Sequence, residues 1–150
     1  MRRPQNPKRV PVVKHEDQPT PTPPHCVCGP LTHNSTPSSQ DAYNFGAKHL
    51  EKQAGLTEQE RSSFSDQLSA GFVDSFRHLY PDHEGHYSYW SGRAGNRPEN
   101  KGLRLDYFIC SEGMVEEGGK AGVRLHDSYM LDDVTGSDHG PCVLVLEKTN

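Results

Sequence analysis

The stretch GSDHGP, residues 136–141, places the carboxylate of Asp138 beside the imidazole of His139, directly before the apolar run CVLVL at 142–146. Gly136 can adopt the positive φ of a sharp turn, and the closing proline fixes φ where the apolar run begins. The pattern therefore predicts a rigid turn that holds two chemically capable side chains at the mouth of a strand. These six residues alone favour a plainer interpretation, an aspartate that caps a turn beside an exposed histidine, but the rest of the chain changes that balance.

A second carboxylate lies in LRLDYFIC, residues 103–110, which has the strongest strand pattern of the chain. Alternate residues of a strand face opposite sides, and Asp106 falls in the middle of this largely apolar segment. An unpaired charge is costly there, and the imidazole of His139 is the obvious partner if the two strands are neighbours. A carboxylate that accepts a hydrogen bond from one ring nitrogen fixes the tautomer and leaves the other nitrogen to face a substrate. Such Asp–His pairs are also common in purely structural settings.

Two helices are predicted in the middle of the chain. TEQE at 57–60 is a capping box, in which the first and last side chains bond to each other's backbone, so a helix should begin here and end before Gly71. Asp74 is a typical N-cap, and it predicts a second, short helix over 75–79 that the following proline ends.

Three further strands are predicted. The aromatic, alternating segment HYSYWS at 86–91 favours a strand, as do VRLHDSYM at 123–130 and the final segment at 142–148.

The loop at 92–102 has a positive charge. It carries Arg93, Arg97 and Lys101, and with Arg104 at its exit there are four positive charges against the one negative charge of Glu99, a local net charge of +3. Such a patch could face phosphate groups, although charge alone is equally typical of a solvated loop.

The composition predicts one folded domain behind an unfolded start. Of the 150 residues, 31% are hydrophobic, and nine of the twelve prolines fall within the first 40 positions. A segment so rich in proline and so poor in branched aliphatic residues cannot bury enough apolar area to offset chain entropy. We therefore predict that 1–40 are disordered and that 41–150 form the domain.

Charge, hydropathy and cysteine content exclude several classes of protein. The net charge of −4 gives the whole molecule no basic excess, and no segment approaches the ~18 consecutive apolar residues of a membrane span. Four cysteines in 150 residues are too few for a secreted disulfide framework, which favours a reducing intracellular compartment. Arg2-Arg3 and Lys8-Arg9 could form a nuclear address, although scattered basic residues in a tail are commoner.

Five blocks of the sequence, in this order, resemble the exonuclease III class of abasic-site (AP) endonucleases of the endonuclease/exonuclease/phosphatase superfamily. The blocks are AGLTEQER at 54–61, DSFRHLYP at 74–81, YW at 89–90, GLRLDYF at 102–108 and GSDHGP at 136–141. The resemblance covers 41–149 and matches only the C-terminal part of the family. It implies an α/β fold of the α+β sandwich type: the C-terminal half of a four-layered sandwich, mostly antiparallel strands with one or two helices.

The resemblance also implies a function in base excision repair of DNA. The expected reaction is hydrolysis of the phosphodiester bond 5′ to an abasic site in double-stranded DNA, with 3′ exonuclease or 3′ phosphodiesterase activity beside it. The implied cofactor is Mg²⁺, with Mn²⁺ as a substitute. The implied setting is a monomer with no membrane partner, in the nucleus or alternatively in a mitochondrion or other organelle.

Residue by residue, the resemblance implies three catalytic side chains: His139 beside the scissile phosphate, Asp106 orienting it, and Asp138. Asp138 and His139 are the implied metal residues. The implied substrate-binding residues, around an apolar pocket for the base-less sugar and its adjoining loop, are Tyr89, Trp90, Asn100, Leu103 and Leu105. Leu103 stands where the best-known members have Trp, and Gly140 replaces their Cys or Leu.

One part of the family pattern has no counterpart in the sequence. The Gly-Asp-Leu-Asn motif expected shortly before Asp41 is absent, as are the N-terminal Glu metal ligand and the Tyr that contacts phosphate. Metal-assisted hydrolysis needs a held cation and a group that positions water. Two hypotheses follow: an AP endonuclease, or a truncated, catalytically inactive fragment or non-catalytic DNA-binding module.

Overall fold

The structure is a computed structural model that describes residues 26–30, 39–116 and 122–149, with the first of these ranges described by its backbone. The described part is an α/β arrangement of two helices and five strands. In chain order the elements are β1 Cys26–Pro30, α1 Glu58–Ser69, β2 Phe72–Asp74, α2 Ser75–Leu79, β3 Asp106–Ser111, β4 Val123–Met130 and β5 Cys142–Lys148, with 3₁₀ turns at Ser39–Asp41, Arg97–Glu99 and Glu112–Met114.

The strands form two antiparallel sheets. One has three strands in the order β1-β3-β2, and the other is the pair β4-β5. In the second sheet, Ser128 is opposite Leu144, and the register shifts between Leu125 and Asp127, where β4 has one extra residue. Antiparallel pairing and the two helices agree with the predicted fold class.

The capping box at the start of α1 is confirmed. The Glu60 N–H donates to the Thr57 hydroxyl at 3.4 Å, and the Thr57 N–H donates to the Glu60 carboxylate at 3.1 Å. At the other end, Gly71 has a φ of +95°, a conformation that side chains with a Cβ rarely adopt. The predicted helix therefore has both of its predicted ends.

The predicted short helix α2 is also present, with Asp74 as its N-cap. The Asp74 carboxylate accepts from the Arg77 N–H at 3.2 Å. The helix also joins the two sheets, because the hydroxyls of Ser75 and Ser128 lie 2.8 Å apart in a buried contact. Just beyond it, the Tyr80 hydroxyl donates to Asp127 of β4 at 2.7 Å. That hydrogen bond raises the pKa of Tyr80.

The strand predicted at 86–91 is wrong. Only isolated bridges occur there, in which Tyr89 pairs with Leu103 on one side and with His139 on the other. The buried Ser88 hydroxyl takes the place of a ladder, since it accepts from the N–H groups of Leu105 and Asp106, each at 2.9 Å. For the same reason β3 begins at Asp106 rather than at the predicted Leu103.

Within the segment predicted to be disordered, residues 26–30 instead form β1. This strand pairs along β3, with Cys26 opposite Cys110 and Pro30 opposite Asp106. The five residues hold a single proline, at the end, so the other four retain the N–H groups that a ladder needs. Residues 39 and 40, also within that segment, begin the 3₁₀ turn Ser39–Asp41. The remaining part of the prediction, for residues 1–25 and 31–38, lies outside the described residues.

Two apolar clusters support the strand that carries Asp106. In the first, Phe64 of α1 packs on Tyr107 and Ile109, with the Phe64 and Tyr107 ring centroids 4.9 Å apart. The second consists of Ala42, Leu50, Leu56 and Leu103, with Ala47, Tyr89 and Leu105 packed against it. The strand is therefore held from α1 and from the segment that precedes it.

An ion cluster is buried between these elements. The guanidinium of Arg104, 0% exposed, bonds to both carboxylate oxygens of Asp41 at 2.7 and 3.0 Å and to both of Asp74 at 3.1 and 2.6 Å. Arg77 also bonds to Asp41. Burial by itself lowers the pKa of Arg104, but the charges of Asp74 and Asp41 raise it well above its ordinary range. The cluster fixes the 3₁₀ turn at 39–41 to the start of α2 and to the approach to β3.

Candidate active site

The predicted contact between Asp106 and His139 is confirmed. The ring Nδ1 of His139 and Oδ2 of Asp106 are 2.7 Å apart. A carboxylate can only accept, so Nδ1 carries the proton and Nε2 is left for another partner. The side chain of Asp106 is 16% exposed and that of His139 is 39% exposed. The carboxylate is thus largely enclosed while the imidazole reaches solvent, which is the arrangement of an oriented, accessible histidine.

The turn that carries His139 is held by backbone hydrogen bonds to the segment 88–90. The Trp90 N–H donates to the Asp138 carbonyl at 2.9 Å, and the Gly140 N–H donates to the Ser88 carbonyl at 2.8 Å. Gly136 has a φ of +115°, as predicted for this turn. The His139 N–H donates to the Ser137 hydroxyl at 3.1 Å. The position of the imidazole is therefore set by both the turn and the neighbouring segment.

An apolar wall adjoins the imidazole. The Tyr89 ring lies against the His139 ring with centroids 5.0 Å apart and planes tilted by 52°. Tyr89 and Leu103 line a pocket of about 260 Å³, and Leu105 is half-buried and packs against the same apolar cluster. The other residues that line this pocket are Tyr43, His49, Leu50, Gln53, Ser91, Ala94, Asn96 and Lys101.

Trp90, which was predicted to bind substrate, is almost completely buried, and its predicted role stays a prediction. Its ring is 2% exposed, and the indole N–H donates to the Asn100 side-chain oxygen at 3.0 Å. The Asn100 amide in turn donates to the Gly85 carbonyl at 2.8 Å, and Asn100 adopts a φ of +49°. Asn100 itself is exposed. Trp90 therefore supports the site from behind, while Asn100 lies at the surface of the adjoining loop.

No family model matches the chain. It is similar to an exodeoxyribonuclease of Bacillus subtilis, with 50% identity over 93 residues, which is 62% of this chain and 34% of that protein. It is also similar to a DNA-(apurinic or apyrimidinic site) endonuclease of Dictyostelium discoideum, with 40% identity over 100 residues, 67% of this chain and 26% of that protein. A solved AP endonuclease of Leishmania major superposes with a TM-score of 0.69 at 32% identity, over 83% of this chain and 35% of that chain.

In sequence and in structure, the chain is similar to the C-terminal part of AP endonucleases of the exonuclease III type. It spans between 26% and 34% of the length of the two relatives compared by sequence. This partial coverage fits the C-terminal part that the five sequence blocks indicate.

The AP endonuclease family pattern makes Asp138 and His139 the predicted metal residues, and the described residues do not build a metal site around them. Asp138 is exposed, and its carboxylate accepts a hydrogen bond from the Ser137 hydroxyl at 3.4 Å. Within 39–116 and 122–149 there is no group of three His, Cys, Asp or Glu side chains that could hold an ion. The ring Nδ1 of His139 already binds Asp106. These residues alone do not fit a divalent cation.

The predicted basic patch is largely taken up by structural contacts. Arg104 is buried in its ion cluster, and Arg97 donates to backbone carbonyls. Lys101 pairs with Glu99 at 2.5 Å, which lowers the pKa of Glu99 and raises that of Lys101. Arg93 is exposed. The patch of four basic residues is therefore reduced to Arg93 and the partly neutralised Lys101.

Two supporting residues escaped the sequence interpretation. Ser88 bonds the backbone on the approach to Asp106 as well as the turn of His139, and Arg97 holds the loop before that turn. The signal for Ser88 was a small hydroxyl residue inside an aromatic run. Nothing in the sequence distinguished Arg97 from its basic neighbours.

Proposed function

We propose that the protein hydrolyses DNA phosphodiester bonds 5′ to abasic sites in duplex DNA, with His139 at the scissile phosphate. The observation that carries the proposal is the 2.7 Å bond between Asp106 and a histidine ring that remains 39% exposed. Similarity to AP endonucleases in sequence and in structure supports the reaction class. The relatives are named as exodeoxyribonuclease and as DNA-(apurinic or apyrimidinic site) endonuclease.

The chemistry assigned to His139 follows from its hydrogen bond. Asp106 holds the proton on Nδ1 and orients the ring, so Nε2 lies on the side of the ring away from Asp106. The neutral ring can accept a proton at Nε2 from the attacking water. The doubly protonated ring can instead donate from Nε2 to a phosphate oxygen, where negative charge grows, or give its proton to the leaving oxygen. Asp106 does not touch the substrate in this account and acts as a positioning residue.

The pocket beside the imidazole supports selection of an abasic site. A flipped deoxyribose without a base is small and largely apolar, and it matches a wall formed by Tyr89 and Leu103 better than a complete nucleotide does. The Tyr89 ring, which lines that pocket, also packs against the His139 ring, and this shared residue supports the assignment. Leu105 supports the same wall through the apolar cluster.

A non-catalytic DNA-binding module is the second candidate function, and the relatives, which are named as nucleases, do not favour it. A protein that keeps the pocket and the oriented histidine without a held cation could still bind abasic DNA.

An incision assay separates the two candidates. The full chain is incubated with a labelled duplex that contains one tetrahydrofuran abasic analogue, and with the same duplex without the lesion. We expect incision directly 5′ to the analogue, none in the undamaged duplex, and loss of incision in His139→Ala. Incision that survives His139→Ala would contradict the site. Binding of the abasic duplex without any incision by the wild type would favour the binding module.

We keep Mg²⁺ as the predicted cofactor, with Mn²⁺ as a substitute, because the resemblance implies it. Incision should stop in EDTA and return when either ion is added in excess. Activity that is unchanged in EDTA would contradict this cofactor.

The predicted monomeric state is tested on the same sample by light scattering during gel filtration, and the predicted nuclear location by fractionation of expressing cells. Among the described residues, no helix has the length and apolar character needed to cross a membrane.

A further inference from the structure

Arg97 makes an unusual set of contacts for an arginine in a surface loop. Its guanidinium donates to three backbone carbonyls: those of Ser137 at 2.9 Å, Asp132 at 3.0 Å and Val134 at 2.6 Å. It also lies over the Trp90 ring, 4.5 Å from the centroid. All three acceptors belong to one loop, 35 to 40 residues further along the chain.

The side chains of the loop that Arg97 binds, residues 132–138, contribute little to holding it in place. Every residue from Asp132 to Asp138 is exposed, so burial of apolar area contributes little to fixing it. Hydrogen bonds from a charged donor are about twice as strong as neutral ones, and the planar guanidinium can serve several acceptors at once. Arg97 is therefore suited to fix the whole loop through its backbone.

The fixed loop leads directly into the candidate catalytic turn. Ser137, whose carbonyl accepts from Arg97, also accepts the His139 N–H through its hydroxyl. The Trp90 ring lies under the guanidinium, and the Trp90 backbone N–H donates to the Asp138 carbonyl. A chain of direct contacts thus connects the guanidinium to the backbone on both sides of Asp138.

We propose that Arg97 is a positioning residue for His139, acting by binding the Asp132–Ser137 loop against Trp90. This inference rests on the proposed function for its consequence in catalysis. A displacement of about 1 Å in a reacting group can cost roughly a hundredfold in rate. Loss of Arg97 should therefore lower kcat by up to about a hundredfold while KM changes little, because the pocket at Tyr89 and Leu103 stays in place.

The alternative role for Arg97 is a positive charge that attracts DNA phosphate. The two roles predict different results for Arg97→Lys, since lysine keeps the charge but has a single ammonium group in place of the planar fork. Under positioning, Arg97→Lys and Arg97→Met are both impaired. Under charge attraction, Arg97→Lys behaves like the wild type, and Arg97→Met raises KM.

Hydrogen–deuterium exchange of the full chain without DNA tests the proposal apart from any activity. We expect the peptide covering 131–140 to exchange at least about tenfold faster in both Arg97 variants, because charged hydrogen bonds that hold the loop are lost. The matched control is Arg124→Met, which removes an equally positive side chain at the far end of β4 and should leave this peptide unchanged. Peptides from α1 and β3 in the same samples report the rest of the fold.

Wild-type exchange at 131–140 in either Arg97 variant would overturn the proposal. So would general unfolding of both variants, reported by α1 and β3, because it would make Arg97 a residue of the whole fold. If only Arg97→Met unfolds, the exchange of the 131–140 peptide in Arg97→Lys decides whether the proposal stands. A wild-type chain that does not incise abasic DNA contradicts the proposed function alone, since the exchange result needs no substrate.

Discussion

Two charged residues separated by a single leucine occupy opposite environments. Arg104 is completely enclosed, and two aspartates 30 and 63 residues away bind its guanidinium. Asp106 binds His139 at the surface, where the imidazole is 39% exposed. A charge whose partners surround it can only stabilise the fold, whereas a carboxylate–imidazole pair with a partly exposed ring can act on another molecule. The difference in enclosure separates the scaffold of this site from its chemistry.

Removing the enclosed charge of Arg104 should have the largest effect on the free energy of unfolding. Arg104→Met leaves Asp41 and Asp74 buried without their shared partner, and removing one side of a buried ion pair typically costs about 3–5 kcal/mol. We expect a large loss in the free energy of unfolding, measured by urea denaturation, or a chain that does not fold. Because an arginine keeps its charge at any ordinary pH, substitution is the direct way to remove the Arg104 side of the cluster.

A triple variant provides the control for Arg104→Met. Adding Asp41→Asn and Asp74→Asn removes the carboxylates that the single variant leaves unpaired, so stability should recover in part. Equal stability of the single variant and the wild type would contradict the role given to the cluster.

Removing the partly exposed imidazole of His139 should abolish incision and leave the stability of the fold unchanged. His139→Ala deletes the group that faces the phosphate, and general acid–base catalysis by such a side chain typically contributes about 10²–10⁴ in rate. Because the ring is partly exposed, we expect the urea midpoint of His139→Ala to stay close to that of the wild type. Parallel losses of incision and stability would mean that His139 belongs to the scaffold.

An exposed ion pair between β4 and β5 extends the comparison, and its removal should change stability least. Arg124 and Glu147 pair across β4 and β5 at 2.5 Å, and both are about half exposed. Arg124 lowers the pKa of Glu147, so the pair contributes above about pH 4.5 and is lost as the pH falls below that value. Arg124→Met should not measurably change the urea midpoint near pH 7, since exposed pairs contribute little. A clear loss would contradict enclosure as the deciding quantity.

Local signals in the sequence predicted the elements that local physics controls. The capping box of α1, the Asp74 cap of α2 and the strands β4 and β5 appear where predicted. The contact between Asp106 and His139 was also predictable, because a carboxylate inside an apolar strand needs a partner. The roles of both residues in catalysis remain predictions.

The failures concern residues whose partners are distant. The sequence interpretation gave Arg104 to a phosphate-facing patch, because nothing near it in sequence reveals that Asp41 and Asp74 enclose it. The strand expected at 86–91 is divided between two neighbours, since Tyr89 pairs with both Leu103 and His139. Neither arrangement leaves a periodic signal in the chain.

The central claim is that Asp106 acts through His139, and a double-mutant cycle tests it most directly. Single-turnover incision of the abasic duplex is measured for the wild type, Asp106→Asn, His139→Ala and the double variant. Once the imidazole is gone, its orienting carboxylate has nothing to position, so the double variant should be no slower than His139→Ala alone. Losses that multiply in the double variant, or a wild-type rate in His139→Ala, would contradict the account.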